Sequence, residues 1–168
     1  VTWESLQRDG WARLALPWWC YARADALMDL SESSWALVRK SRLRMAYIGA
    51  ESPNDALLHA IRKGTRADQT LAVVEQCRRM GVVPELSFML APPQDPEGET
   101  ERCFEFIRRI KRLHPATEIM LHINTPLPPR THALNGQRPV SLGAPAGLQY
   151  PDSADGWAEP RWVDYWCH

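Results

Sequence analysis

The sequence lacks any closely spaced pair of cysteines. Its four cysteines, Cys20, Cys77, Cys103 and Cys167, are far apart, and none belongs to a C-x-x-C or C-x-x-x-C pair. Metal sites built from local spacing are therefore not predicted within this chain. A disulfide framework is not expected at this size and composition. Cys77 and Cys103 fall on the apolar stripes of two predicted helices, where burial is expected.

The sequence also lacks net charge and long apolar runs. Twenty basic residues balance twenty acidic ones, and a nucleic-acid binder would show a basic excess on one face. The basic run at 108–112 indicates only a solvated helix face. No apolar run reaches the roughly 18 residues of a membrane span, and no signal peptide opens the chain. We therefore expect a cytoplasmic protein with no nucleic-acid partner. Both ends look cut, which predicts a piece of a longer chain.

What the sequence does contain is an alternation of strand-like and helix-like segments. The predicted strands cover 19–25, 44–50, 82–90 and 118–124. Helix-start signals lie between them, at Ser31, Asn54 and Thr65, and Gly81 and Pro115 follow helical stripes. Repeats of about 30 residues are typical of βαβ units. The predicted fold is α/β: a partial (β/α) TIM-type barrel of about four parallel strands in sequential order, with helices on the outer face.

The part from Arg130 onward has a different composition. It is rich in proline and glycine and then carries Trp157, Trp162, Tyr165 and Trp166. This pattern predicts an irregular extension with a short aromatic anchor. The predicted division is therefore a half-barrel at 1–131 and an irregular extension at 132–168.

Ligands of parallel α/β folds bind beyond the carboxyl ends of the strands. This rule selects positions after each predicted strand, namely Arg23 and Asp25, Glu51 and Ser52, 91–93, and Asn124 and Thr125. Glu51 follows Gly49 and could accept hydrogen bonds from a ligand's hydroxyl pair, such as a ribose, or could cap the next helix.

The sequence allows more than one role for Arg23 and for His122. Arg23 could bind a ligand carboxylate, or it could pair with Asp25 or Glu51. His122 alternates with Met120 and Asn124 along its strand. A lone histidine in that position is more often a core or cavity-lining residue than a ligand.

Five segments, in order, resemble the barrel of cobalamin-binding radical S-adenosylmethionine (SAM) enzymes, in the half that follows the cluster loop. They are WCYARAD, AYIGAES, LLHAIRKGTRADQTLAVVEQCRRMGV, SFMLAPPQDPEGETERCFEFIRRIKRLHP and EIMLHINTPLPPRT. The third segment includes a Lys-Gly-Thr turn that is similar to one in the family. The resemblance covers roughly 19–131.

This resemblance implies a chemistry and a site. Such enzymes use a [4Fe-4S] cluster to cleave SAM to a 5′-deoxyadenosyl radical, and many methylate unactivated carbon through methylcobalamin. The resemblance places Glu51 and Ser52 near the ribose and amino-acid portion of SAM, with Gly49 just before them, and Arg23 facing the same cavity. It places 89–92, with Leu90 and Ala91, beside the adenine. His122, Asn124 and Thr125 would lie on the substrate side.

The sequence departs from the family in three ways. It has no C-x-x-x-C-x-x-C loop and no cobalamin-binding domain, and the Gly-rich turn expected after the third strand is APPQDP. The cluster and cobalamin would therefore have their ligands outside this chain, in a missing N-terminal half. The chain alone is expected to be inactive, and its substrate is an unidentified small or lipid-like molecule.

Two other interpretations stay open. One is a different barrel enzyme, such as a hydrolase using Glu51, which would need a second carboxylate within about 5–10 Å. Asp25 is the candidate for that second carboxylate. The other is a non-catalytic interaction domain.

Overall fold

The computed structural model describes residues 16–124, 142, 144–145, 147–151, 153 and 155–167. Strands and helices alternate over most of this part of the chain. In order, the elements are β1 (Trp18–Ala22), α1 (Ala24–Met28), α2 (Glu32–Lys40), β2 (Leu43–Glu51), α3 (Asp55–Ala60), α4 (Ala67–Met80), β3 (Val83–Leu90), α5 (Pro96–Leu113), β4 (Glu118–Ile123), a 3-10 turn (Asp155–Ala158) and α6 (Pro160–Cys167).

The four strands form one parallel sheet in the order β1-β2-β3-β4. Sequential parallel strands separated by helices confirm the predicted α/β half-barrel. Successive side chains of a strand point to opposite faces. In β2, Ala46, Ile48 and Ala50 are buried on the face that meets the helices. The other face carries Tyr47 and Gly49 and borders a cavity.

The helices cover one face because their apolar stripes pack on the buried strand residues. The resulting core joins Ile48, Leu86 and Phe88 of the sheet to helical residues such as Val74 and Ile110. Burial of each such side chain contributes about 1.5–3 kcal/mol to folding. The core thus lies entirely between the sheet and its outer helices.

Several helix boundaries follow the predicted capping signals. The Ser31 hydroxyl accepts a hydrogen bond from Ser34 N at 3.1 Å. Asn54 caps α3 by accepting from Ala56 N at 2.9 Å. Gly81 ends α4 with a left-handed φ of 70°, which glycine adopts without steric cost.

Two predicted boundaries lie two or three residues from the observed ones. The first strand ends at Ala22 rather than 25, and α1 begins at Ala24. Ala24 and Leu27, three positions apart, are both buried against the core, so packing favours a helical turn there. The helix predicted from Thr65 begins instead at Ala67, and the Gln69 side chain accepts a hydrogen bond from Arg66 N at 2.8 Å.

The described end of the chain is more regular than predicted. The described residues from 142 to 153 lie in no helix or strand, as predicted, but the aromatic anchor that follows forms the 3-10 turn and α6. Trp157 and Trp162 are buried, and Tyr150 stacks on Trp162 with ring centroids 5.9 Å apart. Burial of these large rings stabilises the 3-10 turn and α6. The predicted domain boundary at 131 lies outside the described residues.

Hydrophobicity and length together would mark a membrane-crossing helix, and none of the helices in the described ranges meets both conditions.

Candidate functional site

The open face of the sheet, opposite the helices, forms a cavity at its carboxyl end. Its volume is about 550 Å³, which is in the range of small-molecule sites. The lining combines aromatic and apolar side chains with a few polar groups: Tyr21, Ala22, Tyr47, Gly49, Glu51, Lys63, Ser87, Met89, His122, Ile123 and Asn124. The cavity thus lies at the edge of the sheet that the strand-end rule selects.

An ion pair between Glu51 and Lys63 lies at the centre of the cavity's polar side. Lys63 Nζ is 2.7 Å from Glu51 Oε1, and both side chains are roughly three-quarters buried. The pair lies directly over Gly49, because a Cβ at that position would collide with Glu51 Oε1 and Lys63 Nζ. The absence of a side chain at Gly49 thus makes room for both charges.

Lys63 was not among the predicted site residues. It lies after α3, outside any strand end, so the rule that found Glu51 could not select it. The signal that could have found it was the Lys-Gly-Thr turn, which begins at Lys63.

The backbone is strained at the carboxyl ends of β2 and β3. Glu51 has φ 62° at the end of β2, and Ala91 has φ 51° just after β3. This left-handed region costs a non-glycine residue roughly 1–2 kcal/mol, and such strain is often stored at functional sites. Ala91 thus adopts a glycine-like conformation where a Gly-rich turn was expected.

Arg23 and Asp25 form an exposed ion pair beside the cavity. Arg23 donates to both Asp25 oxygens, at 3.0 and 2.8 Å, and to Lys63 O at 3.1 Å. The hydrogen bonds from Arg23 lower the pKa of Asp25 below its usual value. Neither residue lines the cavity. Arg23 therefore supports the loop that carries Lys63. Asp25 stays ionised and paired with Arg23.

Ser52, Leu90 and Ala91, which were predicted to contact the ligand, do not line the cavity. Ser52 is buried, and its hydroxyl accepts a hydrogen bond from Asn54 N at 2.9 Å and donates to Glu99 Oε2 at 3.5 Å. Ala91 N donates to Thr100 Oγ1 at 3.2 Å. Leu90 packs against the core. Their contacts shape the loops around the cavity.

The β4 side supplies His122 and Asn124, both of which line the cavity. Asn124 is held by its backbone N–H, which donates to Leu90 O at 2.9 Å. Thr125, predicted beside them, lies outside the described residues. The structure thus brings four predicted site residues to one cavity, namely Gly49, Glu51, His122 and Asn124.

A cluster of aromatic side chains lies on the open face of the sheet, next to these polar residues. Tyr21 makes edge-to-face contacts with Trp19 and Tyr47, with ring centroids 5.2 and 5.0 Å apart. The Tyr47 hydroxyl lies 4.0 Å from the Met120 sulfur. A ligand in this cavity would meet charge at one end and aromatic surface at the other.

Within the described residues, no three His, Cys, Asp or Glu side chains come together as a metal-binding group. Burial raises the pKa of Cys77 and of Cys103 to about 12, which keeps both thiols protonated. Thiolates, not thiols, bind metals. Cys77 lies in α4 and Cys103 in α5, both in the core on the helix side of the sheet, so neither lines the cavity.

The fold and site together define a class: a half-barrel with a charged and aromatic cavity at the carboxyl ends of its strands. No protein-family model matches the chain, and no curated protein matches it.

Solved structures do share the fold. TsrM from Kitasatospora setae, a radical S-adenosylmethionine methyltransferase solved with cobalamin and a [4Fe-4S] cluster, has a TM-score of 0.58 at 17% identity. The match covers 72% of this chain and 24% of TsrM. A second TsrM structure, with tryptophan substrate and a SAM analogue, has a TM-score of 0.56 at 17% identity and covers 71% and 23% of the two chains.

OxsB, a cobalamin-dependent S-adenosylmethionine radical enzyme with aqua-cobalamin bound, has a TM-score of 0.50 at 17% identity. That match covers 66% of this chain and 16% of OxsB. The chain thus spans about a quarter or less of these neighbours. At this identity the likeness shows a shared fold alone: the partial barrel of this chain is also present in TsrM and OxsB.

Proposed function

We propose that this chain is the carboxyl-terminal part of the barrel of a cobalamin-dependent radical SAM enzyme, and that its cavity holds SAM. The Glu51–Lys63 pair over Gly49 is the observation that carries the proposal. It places a carboxylate and an ammonium side by side at the ligand-binding edge of a fold shared with TsrM and OxsB.

The residues of the cavity fit the chemistry of SAM. SAM carries a carboxylate, an ammonium group, a ribose diol and an adenine. Glu51 can accept hydrogen bonds from the diol or the ammonium group, and Lys63 can donate to the carboxylate. The β3 end at Met89 offers apolar surface to the adenine. His122 and Asn124, on the neighbouring strand, remain for the substrate.

SAM bound to a cluster would supply a 5′-deoxyadenosyl radical or a methyl group to the parent enzyme. The residues of this chain have a different task. Glu51, Lys63 and the aromatic face bind and orient the ligand and exclude water from it. Cluster and cobalamin ligands belong, in this proposal, to the remaining part of the parent.

A hydrolase mechanism is less well supported by the geometry. It would need a second carboxylate facing Glu51. Asp25 is tied to Arg23 outside the cavity, and its lowered pKa disfavours a role as general acid. An interaction domain would not require a charge pair at this edge.

Isothermal titration of SAM into the parent protein tests the proposal. The Glu51→Gln variant keeps the side chain's size but removes its charge. Because a hydrogen bond to a charged group contributes about 1.5–3 kcal/mol, SAM affinity should fall roughly 10- to 100-fold.

Glu85→Gln is the matched control, since Glu85 lies in β3 on the open face but does not line the cavity. Its SAM affinity should equal that of the wild type. A wild-type protein that does not bind SAM, or a destabilised Glu51→Gln protein with unchanged affinity, would contradict the proposal.

A further inference from the structure

The left-handed backbone of Glu51 must be held by the loop that follows it. That loop runs from Ser52 to the start of α3, and Ser52 N donates to Ala50 O at 2.8 Å. Strained conformations persist only where surrounding contacts fix them. The contacts that fix this loop come from α5, a helix more than forty residues further along the chain.

Glu99, in the first turns of α5, makes those contacts. Its side chain is only 7% exposed. It accepts hydrogen bonds from Ser52 Oγ at 3.5 Å, from the Asn54 side-chain amide, and from Arg102 Nη2 at 2.7 Å. A buried carboxylate is costly unless it is paired and hydrogen-bonded in this way.

The carboxylate also fixes which way the Asn54 amide faces. A carboxylate only accepts hydrogen bonds, so Asn54 presents its NH₂ to Glu99 and its oxygen to α3. That oxygen then accepts from Ala56 N and Leu57 N, which caps the helix. Glu99 thus contacts both ends of the loop that follows Glu51, at Ser52 and at Asn54.

Thr100, the residue after Glu99, holds the backbone at Ala91, which like Glu51 has a left-handed φ. Thr100 Oγ1 donates to Pro96 O at 2.6 Å and accepts from Ala91 N at 3.2 Å. Consecutive residues of α5 therefore hold the loops after β2 and after β3. Each of these loops starts with a non-glycine residue in the left-handed region.

We propose that Glu99 is a positioning residue that holds the β2–α3 loop and thereby directs the Glu51 carboxylate into the ligand cavity. This inference rests on the proposed function, in which Glu51 binds SAM. Glu99 does not line the cavity, so it acts through Ser52 and Asn54.

Hydrogen–deuterium exchange and SAM titration on the parent protein test this role together. In Glu99→Ala, amides at 51–57 should exchange faster and SAM affinity should fall roughly tenfold, the loss expected for one buried hydrogen-bonding partner. Glu99→Gln should restore much of both, because its amide oxygen can still accept from Asn54. Ser52→Ala tests the same link should Glu99→Ala fail to fold.

Two controls separate positioning from general stability. Glu101→Ala changes an exposed glutamate of the same helix, and neither measurement should move. Ile110→Val lowers stability from the buried face of α5, and SAM affinity should stay unchanged.

A double-variant cycle shows whether Glu99 acts through Glu51. In a Glu51→Gln background, Glu99→Ala should cause little further loss of affinity, because coupled residues are not additive. Additive losses, or unchanged SAM affinity in Glu99→Ala, would overturn the inference while the wild type still binds SAM. Absence of SAM binding by the wild type would instead overturn the proposed function, and this inference with it.

Discussion

At the residue scale, the cavity depends on a missing side chain. Gly49 has an ordinary backbone conformation, so nothing in its φ requires glycine. Glycine is needed here for steric reasons, because a Cβ at this position would come too close to the charged ends of Glu51 and Lys63. The flexible ends of the Glu51 and Lys63 side chains can move away from an added methyl group at a low cost in stability. That movement would, however, disrupt the geometry of the ion pair.

Gly49→Ala should therefore weaken ligand binding without weakening the fold. We expect SAM affinity to fall roughly tenfold, about 1.4 kcal/mol, with the melting temperature nearly unchanged. Gly81→Ala is the opposite control: its left-handed φ should cost about 1 kcal/mol of stability and leave binding intact. Isothermal titration and thermal melts on both variants check this prediction. Unchanged affinity in Gly49→Ala would contradict it.

Sequence reasoning located residues at this edge better than it oriented them. The strand-end rule placed Glu51 and Asn124 at the cavity because it depends only on chain direction in a parallel sheet. It could not show that Ser52 turns inward, since its partner Glu99 is 47 residues away. The rule also could not show whether Arg23 pairs with Asp25, with Glu51 or with a ligand, because that choice depends on how the loops pack.

At the element scale, the β3–α5 loop shows how a strained turn is maintained. Ala91 lies in the left-handed region, and α5 holds its N–H through Thr100. The proline pair that follows restricts the loop further, because proline fixes φ. The site edge is therefore shaped by the first turns of α5 as much as by the strands.

Ala91→Gly should stabilise the protein slightly. Glycine removes the left-handed strain of roughly 1–2 kcal/mol but adds unfolded-chain entropy, leaving a net gain of about 0.5 kcal/mol. Ala72→Gly, inside α4, should instead lose about 1 kcal/mol. Denaturant unfolding of both variants measures the two free energies. Equal losses at both positions would show that the turn at Ala91 carries no strain.

The elements themselves were largely predictable, because apolar periodicity and capping residues are local signals. Asn54 and Gly81 mark helix ends in the sequence and in the structure. One exception is α1, where five residues are too few for a helical period to be read. Its helical form depends on burial of Ala24 and Leu27 against the core, which is tertiary information.

At the scale of the whole molecule, a four-stranded half-barrel has one covered face and one open face. Large side chains remain exposed on the open face, including Trp19 at 57% and Tyr21 at 73%. Exposed apolar patches of this kind are typical of surfaces that another part of a protein covers. Under the proposed function, the remaining strands of the parent barrel would cover this face.

The last prediction concerns the cluster, which this chain should not assemble by itself. The buried cysteines lie behind the sheet and do not line the cavity: Cys77 is in α4 and Cys103 in α5, and no group of three potential metal ligands forms among the described residues. Burial raises the pKa of both thiols to about 12, so both stay protonated in the metal-free chain. Anaerobic reconstitution of this chain with iron and sulfide, followed by desalting and iron analysis, should therefore recover almost no bound iron.

The parent protein, treated in parallel, is the positive control and should retain a cluster with visible charge-transfer absorbance. A Cys77→Ala/Cys103→Ala version of the parent should retain the same cluster, because neither thiol is a ligand. Recovery of stoichiometric iron and sulfide with the isolated chain would contradict the prediction that the cluster ligands lie outside it. Loss of the cluster from the doubly substituted parent, with the fold intact, would do so equally. The half-barrel would then be a cluster-bearing unit rather than the ligand-orienting half that its Glu51–Lys63 pair indicates.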